Sequence, residues 1–596
     1  MKDFIKYTFA TITGMMILGF IVSIISVAAI VGMLASSSPQ TIVEDNTVLT
    51  LHLNGLIQEH PDNEKPKVLQ MMNDMLSVTA LEDITDATAK AKDNDKVKGI
   101  YIEAGVAEFD APATMTAIRK ALADFRESGK WVIAYGDYIT QGSYYIASVA
   151  DKFYLNKTGV IDFKGLGMKA YYMKGLYDKI GVRYEATKVG KYKSFVEQNT
   201  RTSMSDEDRE QRMAYLTGIW QYMLKDIAAS RKVPETILNG YADNSIMLFS
   251  DQSDYVKKRL VDGLCYPEEL RAEIRKQLKI KSDEDIRQVS VSEMQTVAGK
   301  KETADGEEIA VYYAIGGIYD EDLGTFSDEQ AIIGKDMADD LLELAEDKDV
   351  KAIVIRVNSG GGSARASEQI WHAVVKAKEK KPVVVSMGGA AASGGYMLSC
   401  AASHIVAEPT TITGSIGIFG LIPNVSGLLT DKLGVTFDRV ATNRYTTAME
   451  DLVFDQDNST QLAQMQNYID RGYDNFITIV STSRNMTKET VNEIAQGRVW
   501  LGKDALVIKL VDQLGTLDDA VKKAAELAKV DEYHTESYPS NGDWLTKLIG
   551  ETRKGNYLDG EIKSLLGEHY DIWMTIRNVE RQNHLQARLP FSTTIK

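Results

Sequence analysis

The stretch VKAIVIRVNSGGGSARASEQIWHAVVKAKEKKPVVVSM, residues 350–387, decides the fold. A β-branched run, AIVIRV, is followed by a helical segment carrying Ile370, Val374 and Val375, then by a second β-branched run, VVVSM. Short continuous apolar runs separated by an amphipathic helix read as buried strands of a mainly parallel sheet, joined by right-handed crossovers. The fold class is therefore α/β. Working outward, the same pattern occurs earlier in the chain. VKGIYIEAG (97–105) answers VKAIVIRVN (350–358), and WVIAYGDYITQGSYYIASVADKFYLN (131–156) answers VVVSMGGAAASGGYMLSCAASHIVAE (383–408). GVRYEATKVGKYKSFVE (181–197) answers GVTFDRVATNRYTTAME (434–450), all at a separation of about 250 residues. VLTLHLNGLI (48–57) resembles AVYYAIGGIY (310–319) at a slightly larger spacing. The matches keep their order in both halves, so the chain reads as two tandem α/β domains.

The repeat divides the 596 residues into five parts. Residues 1–38 hold a cytoplasmic amino terminus and an anchor, because 9–34 run without a charge and are long enough to cross a hydrocarbon core about 30 Å thick. Lys2 and Lys6 precede that run and Glu44 and Asp45 follow it, which places the bulk of the chain on the far side of the membrane. Residues 46–281 form the first repeat and 309–533 the second. The charged, aromatic-poor segment 282–308 reads as the connection, and 534–596 as a helical appendage without a counterpart in the first repeat. With 68 Lys+Arg against 84 Asp+Glu the chain has no broad attraction for phosphate backbones, so nucleic acid is not an expected partner. Cys265 and Cys400 are too few for a disulfide framework, and the seven histidines show no metal-ligand pairing. No cofactor or metal is expected.

Positions where the two copies disagree point to the chemistry. In the second copy the strand runs into Asn358-Ser359-Gly360-Gly361-Gly362-Ser363, whose glycines leave backbone N–H groups bare for an anion or a developing oxyanion. The first copy has Ala107, Glu108 and Phe109 there. A second small-residue turn, Ala391-Ala392-Ser393-Gly394-Gly395-Tyr396, offers a hydroxyl nucleophile and a further N–H at Gly394, whereas the first copy carries Gln141 in place of the serine. A helix N-cap is the alternative role for Ser393.

A serine needs a base. His404 enters the apolar run IVA and reads as a packing residue, which leaves lysine. In Lys191-Tyr192-Lys193, extended geometry puts both lysines on one side. The repeat discriminates between them, since Lys191 opposes Arg444 while Lys193 opposes Thr446. Lys193 could act at neutral pH only if burial lowered its pKa from about 10.4 to near 7, worth roughly 4–5 kcal/mol. Ser415, in Thr413-Gly414-Ser415-Ile416-Gly417, can orient the amine or serve simply as a turn serine; Phe163 is its first-copy counterpart.

With Asn-Ser-Gly-Gly-Gly-Ser, Ala-Ala-Ser-Gly-Gly-Tyr, Thr-Gly-Ser-Ile-Gly-Ile-Phe-Gly and Lys-Tyr-Lys-Ser all present behind one anchor, the chain resembles the long, duplicated form of the bacterial signal peptide peptidase A (protease IV) family over nearly its whole length. The resemblance implies two ClpP/crotonase-like domains, a Ser/Lys dyad of Ser393 and Lys193, support from Ser415, and oxyanion donors at Gly362 and Gly394. It also implies remnant signal peptides as substrates, a homotetramer, and a single-pass position in the bacterial inner membrane with the soluble domains periplasmic. One residue departs from the pattern: Gly360 stands where the family commonly has proline. Two other readings stay open on sequence alone, a crotonase-like acyl-thioester enzyme and a non-catalytic membrane scaffold.

Overall fold

The structure is a computed structural model that describes residues 41–60, 78–244, 247–297, 306–321, 330–539 and 586–588, with isolated positions at 14, 15 and 19. The run 9–34 therefore lies almost wholly outside the described residues, as does 544–578. Among the described residues no helix is long and apolar enough to cross a membrane.

Each half is built on a mainly parallel sheet, and the two sheets share one strand order. In the first, Gln288–Ser290 lies beside Thr47–Gln58, followed by Val97–Phe109, Trp131–Ile139, Lys152–Ile161 and Gly263–Leu264. In the second the corresponding order is Tyr533–Tyr538, Glu307–Ile315, Val350–Ser359, Val383–Ala392, His404–Ala407 and Gln513–Leu514. Helices cover both sheets, so the central strands are apolar on both faces; every residue of Val383–Ala392 is buried. Each large aliphatic side chain so enclosed contributes roughly 1.5–3 kcal/mol.

This register moves two boundaries. The segment 282–308, read as a connection, contains strand Gln288–Ser290 and helix Val291–Gln295, which bury Val289 and Met294 against the first repeat. Tyr533–Tyr538, at the start of the expected appendage, pairs with Glu307–Ile315 and closes the second sheet. The two strands are equivalent edge elements. Their sequences, QVS and YHTESY, share too little for an alignment to pair them.

A third, smaller sheet joins the halves. Arg183–Lys188 from the first repeat runs antiparallel to Phe419–Asn424 from the second, over six consecutive residue pairs. The same sheet contains Gly317–Tyr319 and Gly361–Ser363, and the backbone of Gln586–Arg588 lies between Gly361–Ser363 and Phe419–Asn424, antiparallel to both. A buried ion pair braces the halves elsewhere. Arg356 donates to both carboxylate oxygens of Glu59 at 2.8 Å and to Ser386 Oγ at 2.7 Å. Beside it, Asp110 accepts from the Glu59 N–H at 2.9 Å and from Asn358 Nδ2 at 3.4 Å. Burial and the neighbouring Glu59 carboxylate push Asp110 up to about 6.

Candidate active site

Ser393 follows the last residue of strand Val383–Ala392 and precedes helix Gly394–Ser399. Its backbone has φ 57° and ψ −116°, a conformation costly for a residue with a side chain, in keeping with a nucleophile held on a strained strand-to-helix turn. The turn is held from the neighbouring strand Ile412–Gly414, where Ala392 pairs with Gly414 and the Ser393 N–H donates to the Gly414 carbonyl at 2.8 Å. Ser393 does not cap the helix with its side chain. Ser415 follows directly, also at positive φ, with its N–H donating to the Arg498 carbonyl at 2.7 Å.

Lys193 enters from the first repeat. Strand Arg183–Lys188 delivers the chain to the second repeat, and residues 190–194 then turn rather than extend. The Lys193 N–H donates to the Gly190 carbonyl at 3.2 Å, with Gly190 at φ 105°. The expectation that Lys191 and Lys193 face one way therefore fails, because an i to i+3 turn separates side chains that a strand would align. Lys191 is exposed, with its ammonium 4.9 Å from the Tyr192 ring, while Lys193 is 1% exposed. The Lys193 amine donates to Ser393 Oγ at 2.8 Å, to Ser415 Oγ at 3.0 Å and to the Ser415 carbonyl at 3.0 Å. Burial lowers its pKa from 10.5 to about 7. No charged neighbour takes part in that shift, so desolvation alone holds the amine near neutrality.

The glycine loop lies alongside. Gly361–Ser363 forms a short strand in which Ile318 pairs with Gly362. Gly361 alone among the loop glycines has a positive φ, 95°, and its N–H donates to Ser359 Oγ at 3.1 Å. This bond constrains the loop next to Gly360, where the family proline is missing. A Cβ placed on Gly394 would lie 3.3 Å from the Gly362 nitrogen, so the backbones of the two expected donors are neighbours. Gly394 is the first residue of its helix, where an N–H has no intrahelical acceptor.

The corresponding place in the first repeat is filled. Gln141 is buried, its Oε1 accepts from the Lys164 and Gly165 N–H groups at 2.8 Å each, and its Nε2 donates to the Gly165 carbonyl at 3.1 Å. A side-chain amide bonded to its own repeat thus occupies the position that the second repeat gives to Ser393. Val97–Phe109 also runs on as one strand where the second repeat breaks into its glycine loop. His404 stands apart from the dyad, its Nε2 3.1 Å from Gln513 Oε1. Cys265 and Cys400 are free buried thiols, and the described residues contain no acidic, histidine and cysteine cluster able to hold a metal.

Sequence reading missed the residues that hold the lysine loop. Asp208, Gln211 and Arg212 lie in SDEDREQR, which has the composition of a solvated helix start, yet all three are buried. Gly497 was also missed. It has φ 75°, and a Cβ there would meet the Lys193 nitrogen at 2.6 Å. The i, i+3, i+4 spacing of the three helical residues was the one available signal, and charge obscured it.

Comparison with known proteins places the chain in a family. The model of Peptidase family S49 matches twice, at residues 124–281 and 375–531, and the Clp protease model matches residues 325–411. Protease 4 of Salmonella typhi is 36% identical over 90% of this chain and 87% of its own length. Protease 4 of Haemophilus influenzae is 32% identical over 91% of this chain and 90% of its own. The chloroplastic serine protease SPPA of Arabidopsis thaliana is 26% identical over 82% of this chain and 70% of its own. The acyl-thioester and scaffold readings gain nothing from these matches. Two S49 regions in tandem and full-length similarity to Protease 4 proteins together show that this chain is a serine protease belonging to Peptidase family S49, in its long, duplicated form.

Proposed function

We propose that the chain cleaves peptide bonds with Ser393 as nucleophile and Lys193 as general base, and that its substrates are signal peptides already released from their precursors. The observation that carries this reading is the 2.8 Å contact between a buried Lys193 amine and Ser393 Oγ. The uncharged amine takes the Ser393 hydroxyl proton as Oγ attacks the peptide carbonyl carbon. The negative charge that develops on the carbonyl oxygen is met by the N–H groups of Gly362 and Gly394. The C–N bond then breaks, and the Lys193 ammonium returns its proton to the departing amine. A water molecule, deprotonated by the same amine, attacks the acyl carbon, and Ser393 is regenerated. Ser415 keeps the amine aimed at Ser393 through its hydroxyl and carbonyl.

The antiparallel seating of Gln586–Arg588 beside Gly361–Ser363 supports an extended peptide running along the glycine loop by strand addition. A substrate that is apolar and membrane-derived fits an enzyme anchored by the uncharged run 9–34 in the bacterial inner membrane, with both repeats on the periplasmic side and four copies in a ring. The test uses the full chain in proteoliposomes with a synthetic signal peptide. Ser393→Ala and Lys193→Ala should each abolish cleavage while keeping the fold, and removal of residues 1–38 should release the protein from the vesicles. Normal turnover by either variant overturns the dyad. Cleavage confined to soluble polar peptides overturns the substrate class.

A further inference from the structure

The lysine and the serine come from different repeats, so something must fix the lysine loop relative to the strand that holds the serine. The side chain of Gln211 spans that junction. It projects from helix Asp206–Arg231 and is 1% exposed. Its Nε2 donates to the Tyr192 carbonyl at 2.9 Å and to Ser194 Oγ at 3.0 Å, gripping the chain on both sides of Lys193. Its Oε1 accepts from the Val499 N–H at 3.4 Å. Val499 pairs with Gly414 across the antiparallel strands Val499–Leu501 and Ile412–Gly414, and the Gly414 carbonyl accepts the Ser393 N–H at 2.8 Å. One amide therefore connects the loop carrying the amine, through one strand pair, to the backbone of the serine. We infer that Gln211 is a positioning residue for the peptidase reaction, setting the Lys193 to Ser393 separation across the repeat boundary.

The residue type follows from the demand. The position needs donors for two oxygens on the loop and an acceptor for one N–H, in a buried place. A carboxylate would lose the donors and would lie against Asp208, whose Oδ1 is 3.1 Å from Gln211 Nε2. Methionine matches the length and offers neither function. Asp208 is itself committed, accepting from Ser194 Oγ at 2.6 Å and from Arg212 Nε at 2.6 Å, so it stabilises the grip without reaching the second repeat. The other charged groups around the loop are Lys191, whose ammonium lies 4.9 Å from the Tyr192 ring, Lys188, which donates to the Lys193 carbonyl at 3.2 Å, and the Arg498 and Glu210 pair on Tyr192.

This inference rests on the Ser/Lys reading, and the experiment separates the two. Full-length Gln211→Met, Gln211→Glu and Gln211→Asn are measured with Ser393→Ala and Lys193→Ala alongside, using a fluorophosphonate as the serine probe and a quenched peptide as substrate. Rates are normalised to titrated active sites, so misfolded protein is not counted. For Gln211→Met and Gln211→Glu we expect kcat to fall about 10- to 100-fold with KM within about twofold, because the loss is one of geometry in the transition state. The acid limb of the pH profile should move upward by about one pH unit as the loosened loop admits water to the amine. Gln211→Asn, with the same functional group on a shorter arm, should recover part of the rate. A purely packing role would lower the titratable fraction and leave both kcat per site and the acid limb unchanged, and that result overturns the inference. If Lys193→Ala or Ser393→Ala retains activity, the dyad fails instead, whatever the Gln211 variants do.

Discussion

Lowering the pH should switch off acylation of Ser393 about three and a half pH units below where an ordinary lysine would allow it. The perturbation acts on one group. Lys193 is enclosed by protein, its pKa is lowered from 10.5 to about 7 by burial, and its three hydrogen-bond partners are neutral oxygens. The amine is then about half uncharged at pH 7, against roughly one part in three thousand for a solvated lysine, a difference worth about 5 kcal/mol. The sign also fixes a stability effect. Between pH 7 and 10.5 the unfolded chain binds more protons at this position than the folded one, so this residue makes the fold more stable as pH rises through that window. The assay is the second-order rate of fluorophosphonate labelling across the pH range. It should fall about tenfold for each unit below the midpoint and level off about one unit above it. Lys193→Met should remove the limb with the activity. A rate independent of pH on either side of 7, or a limb centred near 10, would refute desolvation as the source of the base.

Two further perturbations probe the supports. Gly497→Ala adds a Cβ that would meet the Lys193 nitrogen at 2.6 Å and its Cβ at 2.7 Å, at a backbone φ of 75°. It should slow labelling about tenfold or more, whereas Gly434→Ala, at φ 70° with open space around it, should leave the rate unchanged. Glu59→Gln strips the buried partner from Arg356, whose side chain is 1% exposed, and should destabilise the protein by about 3–5 kcal/mol in denaturant melts. Glu59→Met combined with Arg356→Met should recover most of that loss, and additive effects of the two single changes would count against a coupled pair.

The duplication, the α/β class and the candidate pair Ser393 and Lys193 were legible in the chain itself. Parallel strands buried on both faces must be written as continuous apolar runs, so AIVIRV and VVVSM announce themselves. Comparing the copies then isolates Ser393 against Gln141 and Lys193 against Thr446, because residues that differ between two versions of one scaffold are free of the shared demands of folding. Other features depended on contacts between residues far apart in sequence. The loop 190–194 turns because Gly190 and the Gln496 carbonyl shape it, and that choice separates Lys191 from Lys193. The edge strands Gln288–Ser290 and Tyr533–Tyr538 are recruited by sheets that already exist, so their own sequences carry little signal. Asp208, Gln211 and Arg212 look solvated in sequence because their charge and polarity are local facts, while their burial depends on the loop and strand packed against them. Sequence by itself determined which groups could react. Only the tertiary structure decided that they meet: a 2.8 Å separation between residues two hundred positions apart is set by the joint sheet of Arg183–Lys188 and Phe419–Asn424, and the amine's lowered pKa by the protein that closes around it.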